Sequence, residues 1–409
     1  MTAADWAARH RRSILFLLAV LALGGFLSAT TLPVALFPKV AFPRIQVVLD
    51  AGNRPAEQML SEVMRPVEEA IRTVPGLRSI RSNTSRGSAE LSVSFDWGSD
   101  MPQALLNVDA AITQSLSQLP PGVQFEAKRM DATVYPVAAY VLTSDRHDLV
   151  GLHEIARYEL VPLLSSIDGV ANVTVLGGSE REYRVDVDPN KLRAYGLSLD
   201  DVVRALSASN VLEAVGQLQD HYKLYLMLSD TRFRSLGQIE TTVLSTGGNG
   251  LVSLEDVATV RPAAAPSWIR VTGNGHRAVS LQIYQQPGGN TVRIVQDIKA
   301  KLAGYKARLP AGVHISNWYD QSTLITASAK SVRDAILIGV ALAGLVLVLF
   351  LGSVRVALVA LFVVPVVLAI TMLLLSVLHM TLNIMTFGGM AAAVGLIIDD
   401  AIVMIENIV

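Results

Sequence analysis

Four stretches of this chain are too long and too apolar to behave as ordinary amphipathic helices. Ile14 to Leu32 carries no charge, and its only polar residues are Ser28, Thr30 and Thr31. Ala335 to Leu351 has no polar side chain, and Val356 to Leu378 is interrupted only by Pro365, Thr371 and Ser376. Leu382 to Val409 is a further, mostly apolar run that carries an acidic pair, Asp399 and Asp400. Each run approaches or exceeds the roughly 17–25 residues that cross a bilayer. The expectation is four transmembrane helices at 13–32, 333–352, 356–378 and 382–409. A composition that is 51% hydrophobic and only 17% charged agrees with a membrane protein. The net charge of −1 argues against a nucleic-acid partner, and the lack of cysteine excludes disulfides and thiolate chemistry.

Arg9, His10, Arg11 and Arg12 precede the first span, which places residues 1–12 in the cytoplasm by the positive-inside rule. The apolar core there is longer than that of a signal peptide, so the run reads as an anchor. The segment between the first and second spans is then external. Gly352-Ser-Val-Arg355 reads as a short inner turn and His379-Met-Thr-Leu382 as an outer one.

Residues 33–133 read as one α/β unit. Ile45, Val47 and Leu49 alternate onto one strand face, and Pro55 opens a helix through Ile71 in which Pro66 should produce a kink. Leu77–Ser82 and Ala89–Trp97 form a hairpin across Thr84-Ser-Arg-Gly87, followed by helix Met101–Leu119 and strand Val123–Ala127. This β-α-β-β-α-β order is the ferredoxin-like unit. The pattern returns in residues 134–188 and 276–332. Val74-Pro-Gly-Leu77 matches Ile167-Asp-Gly-Val170 at an offset of 93, and Leu119-Pro-Pro-Gly-Val123 matches Leu309-Pro-Ala-Gly-Val313 at an offset of 190. The two offsets differ by 97 residues, so the second copy should hold an insertion, placed at 189–275. The strand Glu182–Val187 is assigned to the second copy itself.

The acidic pair is the sharpest anomaly. A carboxylate at the centre of a membrane helix costs at least about 2.5–3.5 kcal/mol, and such residues are functional candidates by default. Two adjacent carboxylates in a low-dielectric setting cannot both ionise cheaply. The small residues Gly388, Gly389, Ala391, Ala392, Ala393 and Gly395 should let neighbouring helices approach closely, and Pro365 should bend the third span. Glu406 and Asn407 read as the helix end. The chain stops inside this apolar run, which gives it the look of a fragment.

The motifs Leu32-Pro-Val-Ala-Leu-Phe-Pro38, Val364-Pro-Val-Val-Leu368 and Gly395-Leu-Ile-Ile-Asp-Asp-Ala-Ile-Val-Met-Ile-Glu-Asn407 make the chain resemble the N-terminal portion of a resistance-nodulation-cell division (RND) efflux transporter, of the hydrophobe/amphiphile drug-export branch. The resemblance implies a homotrimeric permease of the bacterial inner membrane with a large periplasmic region. It also implies two porter subdomains, an inserted docking subdomain, a periplasmic adaptor protein and an outer-membrane channel. The substrates would be small hydrophobic or amphiphilic compounds reaching the protein from lipid or periplasm. Protons would be the coupling ion, with no cofactor and no metal. In that scheme Asp399 and Asp400 form the proton relay, and their basic partner lies on a helix outside this chain. Tyr135 and Leu176, with Tyr183 nearby, match a phenylalanine-rich substrate pocket. Val215-Gly-Gln-Leu-Gln-Asp-His-Tyr222 matches the start of a trimer-clasping loop and looks several residues short. The alternatives are a heavy-metal exporter of the same superfamily and a membrane-anchored periplasmic binding protein that does not transport.

Overall fold

The computed structural model describes residues 6, 9–38, 42–245, 250–267, 269–351 and 354–406. Asn407, part of one sequence motif, and residues 352–353, the first half of the expected inner turn, lie outside these residues. A first helix, α1 (Arg11–Thr31), leads into strand β1 (Arg44–Asp50). Among the described residues α1 is the one helix long and apolar enough by length and composition to cross a membrane.

The first α/β unit continues with α2, built from Ala56–Gln58, a π-helical turn Met59–Met64 and Arg65–Ile71. Then come β2 (Leu77–Thr84), β3 (Ser88–Phe95), α3 (Met101–Ser115) and β4 (Gln124–Arg129). The sheet order is β2-β3-β1-β4, antiparallel throughout. The alternation read from sequence puts Ile45, Val47 and Leu49 in a core with Leu91, Val93, Met59 and Val108, all fully buried. Pro66 does not end or break α2. The preceding turn widens, so that Arg65 N–H reaches the Leu60 carbonyl five residues back, which makes room for a ring that has no N–H to donate.

The second unit has the same plan: β5 (Ala138–Ser144), α4, then β6 (Val170–Gly177). Helix α4 joins Leu149–Glu154, a π-helical turn Ile155–Leu160 and Val161–Ser165, and here too the wide turn precedes a proline, Pro162. Chain direction then leaves the sheet. Strand β7 (Arg181–Val187), assigned from sequence to this unit, pairs with β12 (Ala258–Ala264) instead. Between them lie α5 (Leu199–Ser209), the hairpin β8 (Leu212–Asp220) and β9 (Lys223–Asp230), and the short pair β10 (Val243–Ser245) and β11 (Val252–Ser253). Leu192, Val202, Leu254, Val257 and Val260 form a separate core for this inserted unit. The second sheet is completed by β13 (Val271–Gly273), β14 (His276–Gln285), α6 (Thr291–Tyr305) and β15 (Val313–Asp320). Strand β14 pairs with both β6 and β5, and β5 with β15. The order β6-β14-β5-β15 therefore repeats β2-β3-β1-β4. The insertion opens what is a tight hairpin in the first unit, and β7 belongs to it.

Three long helices follow: α7 (Gln321–Leu351), α8 (Val354–Val377) and α9 (Ile384–Glu406), of 31, 24 and 23 residues. Helix α8 runs on through Pro365. It packs along α1, and α9 packs against α7 and α8. The closest approach is at Gly25, which is buried: a Cβ built there would sit 1.8 Å from the Ala369 carbonyl oxygen. By contrast Gly388, Gly389 and Gly395 have nothing within 4 Å of a built Cβ. The small-residue signal of α9 thus marks an open face here, because α9 meets its neighbours through Met390 and Val394 instead.

Helix α7 grows directly from β15 without a loop. Asp320, with its side chain 6% exposed, accepts from Ser322 N–H at 2.8 Å and Ser322 Oγ at 2.6 Å, and pairs with Lys299 Nζ of α6 at 2.6 Å. Gln321 locks the joint from the other side, donating from its N–H to Val137 O and from Nε2 to Pro136 O. Burial works to raise the Asp320 pKa, but the hydrogen bonds from Lys299 and Ser322 outweigh it and hold the carboxyl below its ordinary range. Tyr140 beside it is pushed up to about 12 by burial and by the Asp320 charge.

Two outcomes follow from this packing. Gly25→Ala should lower thermal stability in detergent by about 1–3 kcal/mol, because the backbone oxygen it meets has no rotamer to give way. Gly388→Ala should be neutral or slightly stabilising, and equal melting of the two variants would contradict the close crossing. Asp320→Asn should cost about 1–3 kcal/mol at neutral pH by removing a charged acceptor from a buried site. Since the folded pKa is depressed, that contribution is full above the unfolded carboxylate value and fades as pH falls through the folded one. Wild type and variant should therefore converge only once the pH falls below the depressed folded pKa of Asp320, under the ordinary carboxylate range, read by thermal unfolding or amide exchange over residues 313–330.

Candidate functional site

Asp399 and Asp400 lie near the end of α9, both exposed, and among the described residues neither carboxylate has a hydrogen-bond or ion-pair partner. Helical spacing assigns them to different faces. Gly388, Ala392, Gly395 and Asp399 follow one another at intervals of four, three and four, so Asp399 continues the open small-residue face. Thr386, Met390, Ala393 and Ile397 line an apolar groove of about 190 Å³ against Val367, Leu368 and Thr371 of α8. Asp400 comes one turn beyond Ile397 on that line. The pair therefore looks in two directions, along an existing helix contact and toward a face with no neighbour among the described residues.

The start of α9 is fixed by polar groups. Asn383 Oδ1 accepts from the backbone N–H of Met385 and Thr386 at 3.0 and 3.1 Å, while its Nδ2 donates to Thr381 O at 3.0 Å. Both Thr381 and Asn383 are buried. The segment after α1 meets this turn: Val34 and Leu382 form a parallel bridge, Ala35 N–H donates to Leu382 O at 2.9 Å, and Leu382 N–H donates to Pro33 O at 3.0 Å. Val34 O also accepts from Thr291 N–H, 2.9 Å away at the start of α6. The motif Leu32-Pro-Val-Ala-Leu-Phe-Pro38 is thus an extended staple that joins the exit of α1, the entry of α9 and the second α/β unit. Pattern reading flagged this motif but gave no hint of its partners.

The proposed substrate contacts separate. Tyr135 follows a 3-10 turn between the two units, half exposed, with its ring centroid 6.4 Å from that of Phe37. It lines a groove of about 600 Å³ with Phe42, Arg44, Arg78, Arg81 and Trp97. Leu176 sits on β6 opposite Ser280, partly buried, and is not among the residues lining that groove. Tyr183 lines a different cavity with Leu206, Phe233 and Ile239 of the inserted unit. The arginines were missed from sequence because they come from two strands and form no local motif.

The β8–β9 hairpin extends with its apolar residues uncovered. Val215, Leu218, Leu224, Leu226 and Leu228 are all exposed. His221 and Tyr222 close it with φ of 45° and 63°, a turn that usually calls for Asn-Gly.

Comparison with known proteins adds two findings. Residues 5–409 match the family model described as the AcrB/AcrD/AcrF family. The chain is similar to proteins called multidrug resistance protein MdtC. It is 33% identical to those of Escherichia coli (strain SE11) and Escherichia fergusonii, and 32% to that of Escherichia coli O7:K1 (strain IAI39). In each case the match runs over 388 residues, 94% of this chain, and the chain spans 38% of the relative's length.

Proposed function

The chain belongs to the AcrB/AcrD/AcrF family, and from that premise we propose that it is the N-terminal portion of a proton-driven exporter of hydrophobic or amphiphilic compounds. The observation that carries this reading is the Asp399–Asp400 pair on an apolar helix without a counter-charge. In this reading α1, α7, α8 and α9 all span the bacterial inner membrane, their outward Leu, Val and Phe side chains facing lipid. Helical hydrogen bonding then satisfies the backbone inside the hydrocarbon, apart from the carbonyl four residues before Pro365, which loses its donor to the proline ring. The two α/β units are ferredoxin-like porter subdomains on the periplasmic side, and residues 181–264 form most of the docking subdomain.

Proton transfer to the pair removes negative charge from α9. The open face of Gly388, Ala392 and Gly395 receives a further helix of the complete transporter, whose cation faces Asp399 when the carboxylate is charged and is released when it is neutral. The staple at Pro33–Ala35 and the α7 joint at Asp320 carry such a shift of the helices to the second subdomain. Substrate enters by the groove at Tyr135, while Leu176 lines a later part of the path. The exposed β8–β9 hairpin supports a homotrimer, because a two-stranded hairpin is at best marginally stable alone and a neighbouring copy covers its apolar side chains. The name multidrug resistance protein carried by the relatives favours drug-like substrates. A periplasmic adaptor and an outer-membrane channel complete the export path.

Cells that express the complete reading frame encoding this chain should lose their drug resistance when Asp399→Asn or Asp400→Asn is introduced, with protein level unchanged on immunoblot. Resistance at the unmodified level in both variants would remove the relay role.

A further inference from the structure

The groove at Tyr135 has a charge pattern that defines its ligand beyond mere hydrophobicity. Arg44 begins β1, while Arg78 and Arg81 lie on β2 two strands away. The pairing Arg44↔Ser94 and Ser79↔Ser94 brings these two strands to the same residue of β3, so the three arginines come to one end of the sheet and line the same groove. All three arginines are exposed, and among the described residues none makes an ion pair. No Asp or Glu lines the groove. Three like charges held together without a counter-ion repel one another, and a groove built this way favours an anion.

The remaining walls are aromatic. Trp97 is 71% exposed, Tyr135 56% and Phe42 50%, an unusual display of large rings beside a cationic cluster. Planar rings offer stacking surface to an apolar body, and guanidinium groups offer bidentate hydrogen bonds to a carboxylate or sulfonate. The volume of about 600 Å³ is that of a pocket for a drug-sized molecule.

Resting on the export reading, we infer that this groove selects aromatic amphiphiles with an acidic head group, the head on Arg44, Arg78 and Arg81 and the apolar body on Trp97, Tyr135 and Phe42. A cationic amphiphile of equal size meets the same rings but is repelled at the polar end, so charge rather than shape sets the preference.

A matched pair of probes separates these contributions. 8-Anilinonaphthalene-1-sulfonate and N-phenyl-1-naphthylamine share their rings and differ by the sulfonate. Each is titrated by fluorescence into the purified chain in lipid nanodiscs of zwitterionic lipid, with empty nanodiscs subtracted. In the Arg44→Gln/Arg78→Gln/Arg81→Gln variant the sulfonate's Kd should rise by about tenfold or more, the scale of one lost charge-assisted contact. The neutral amine should change by less than about twofold. The Arg→Lys triple variant keeps the charge but not the fork and should recover part of the sulfonate affinity, which excludes misfolding, and Trp97→Ala should weaken both probes. Unchanged sulfonate binding in the Gln variant, or equal weakening of both probes, would overturn the assignment. Binding is read here without transport. Sulfonate selectivity with no export in cells would sink the export reading alone, and export without selectivity would sink this one alone.

Discussion

Three backbone hydrogen bonds around Val34 hold together parts of the chain that are hundreds of residues apart. Leu382 donates to Pro33 O, Ala35 donates to Leu382 O, and Thr291 donates to Val34 O. Each is worth about 1 kcal/mol net in water, and more where water is excluded. Their geometry matters more than their sum. The entry of α9, the exit of α1 and the first turn of α6 share one short extended segment. Helix α9 cannot slide along its axis without either breaking these bonds or carrying α6 with it. The second attachment, where Asp320 and Gln321 weld β15 to α7, ties the same α/β unit to the helices through a different element. One unit is therefore gripped twice, and the acidic pair sits on a helix inside that grip.

The duplication explains why this arrangement is economical. Both units use a central antiparallel sheet with two helices, both place a π-helical turn just before a proline, and both cap the second helix with an Asx side chain, Asp100 or Asn290, accepting from the backbone three residues on. The second copy differs by carrying the inserted unit between β6 and β14 and by continuing its last strand into α7. The same fold thus occurs once with its own short hairpin and once joined through its last strand to α7.

Much of this was legible in the residues. Strand alternation in Arg44–Asp50 and the repeated Pro-Gly and Asp-Gly turns identified both units and the fact of an insertion. The errors have physical causes. Alternation reveals which face of a strand is buried but not its partner, so Glu182–Val187 reads as part of the second unit, whereas the strand pairs with Ala258–Ala264 of the inserted one. The π turn that accommodates Pro66 leaves no signature in residue type. Glycine pairs read alike in sequence, yet Gly25 meets the Ala369 backbone while Gly388 meets open space. At the candidate site the aspartates stood out because charge in an apolar run is costly and local. The arginines of the groove did not, because β2 and β1 bring them together only through β3.

The central claim is that the aspartate pair makes export and proton flow one process. Reconstitution of the complete reading frame's product into proteoliposomes tests it most directly, with a pH indicator on one side of the membrane and an exported dye on the other. The account predicts that an imposed proton gradient drives dye movement and that the dye speeds dissipation of the gradient in fixed proportion. Dye movement at the same rate with no gradient, or a gradient that decays identically with and without dye, would contradict it.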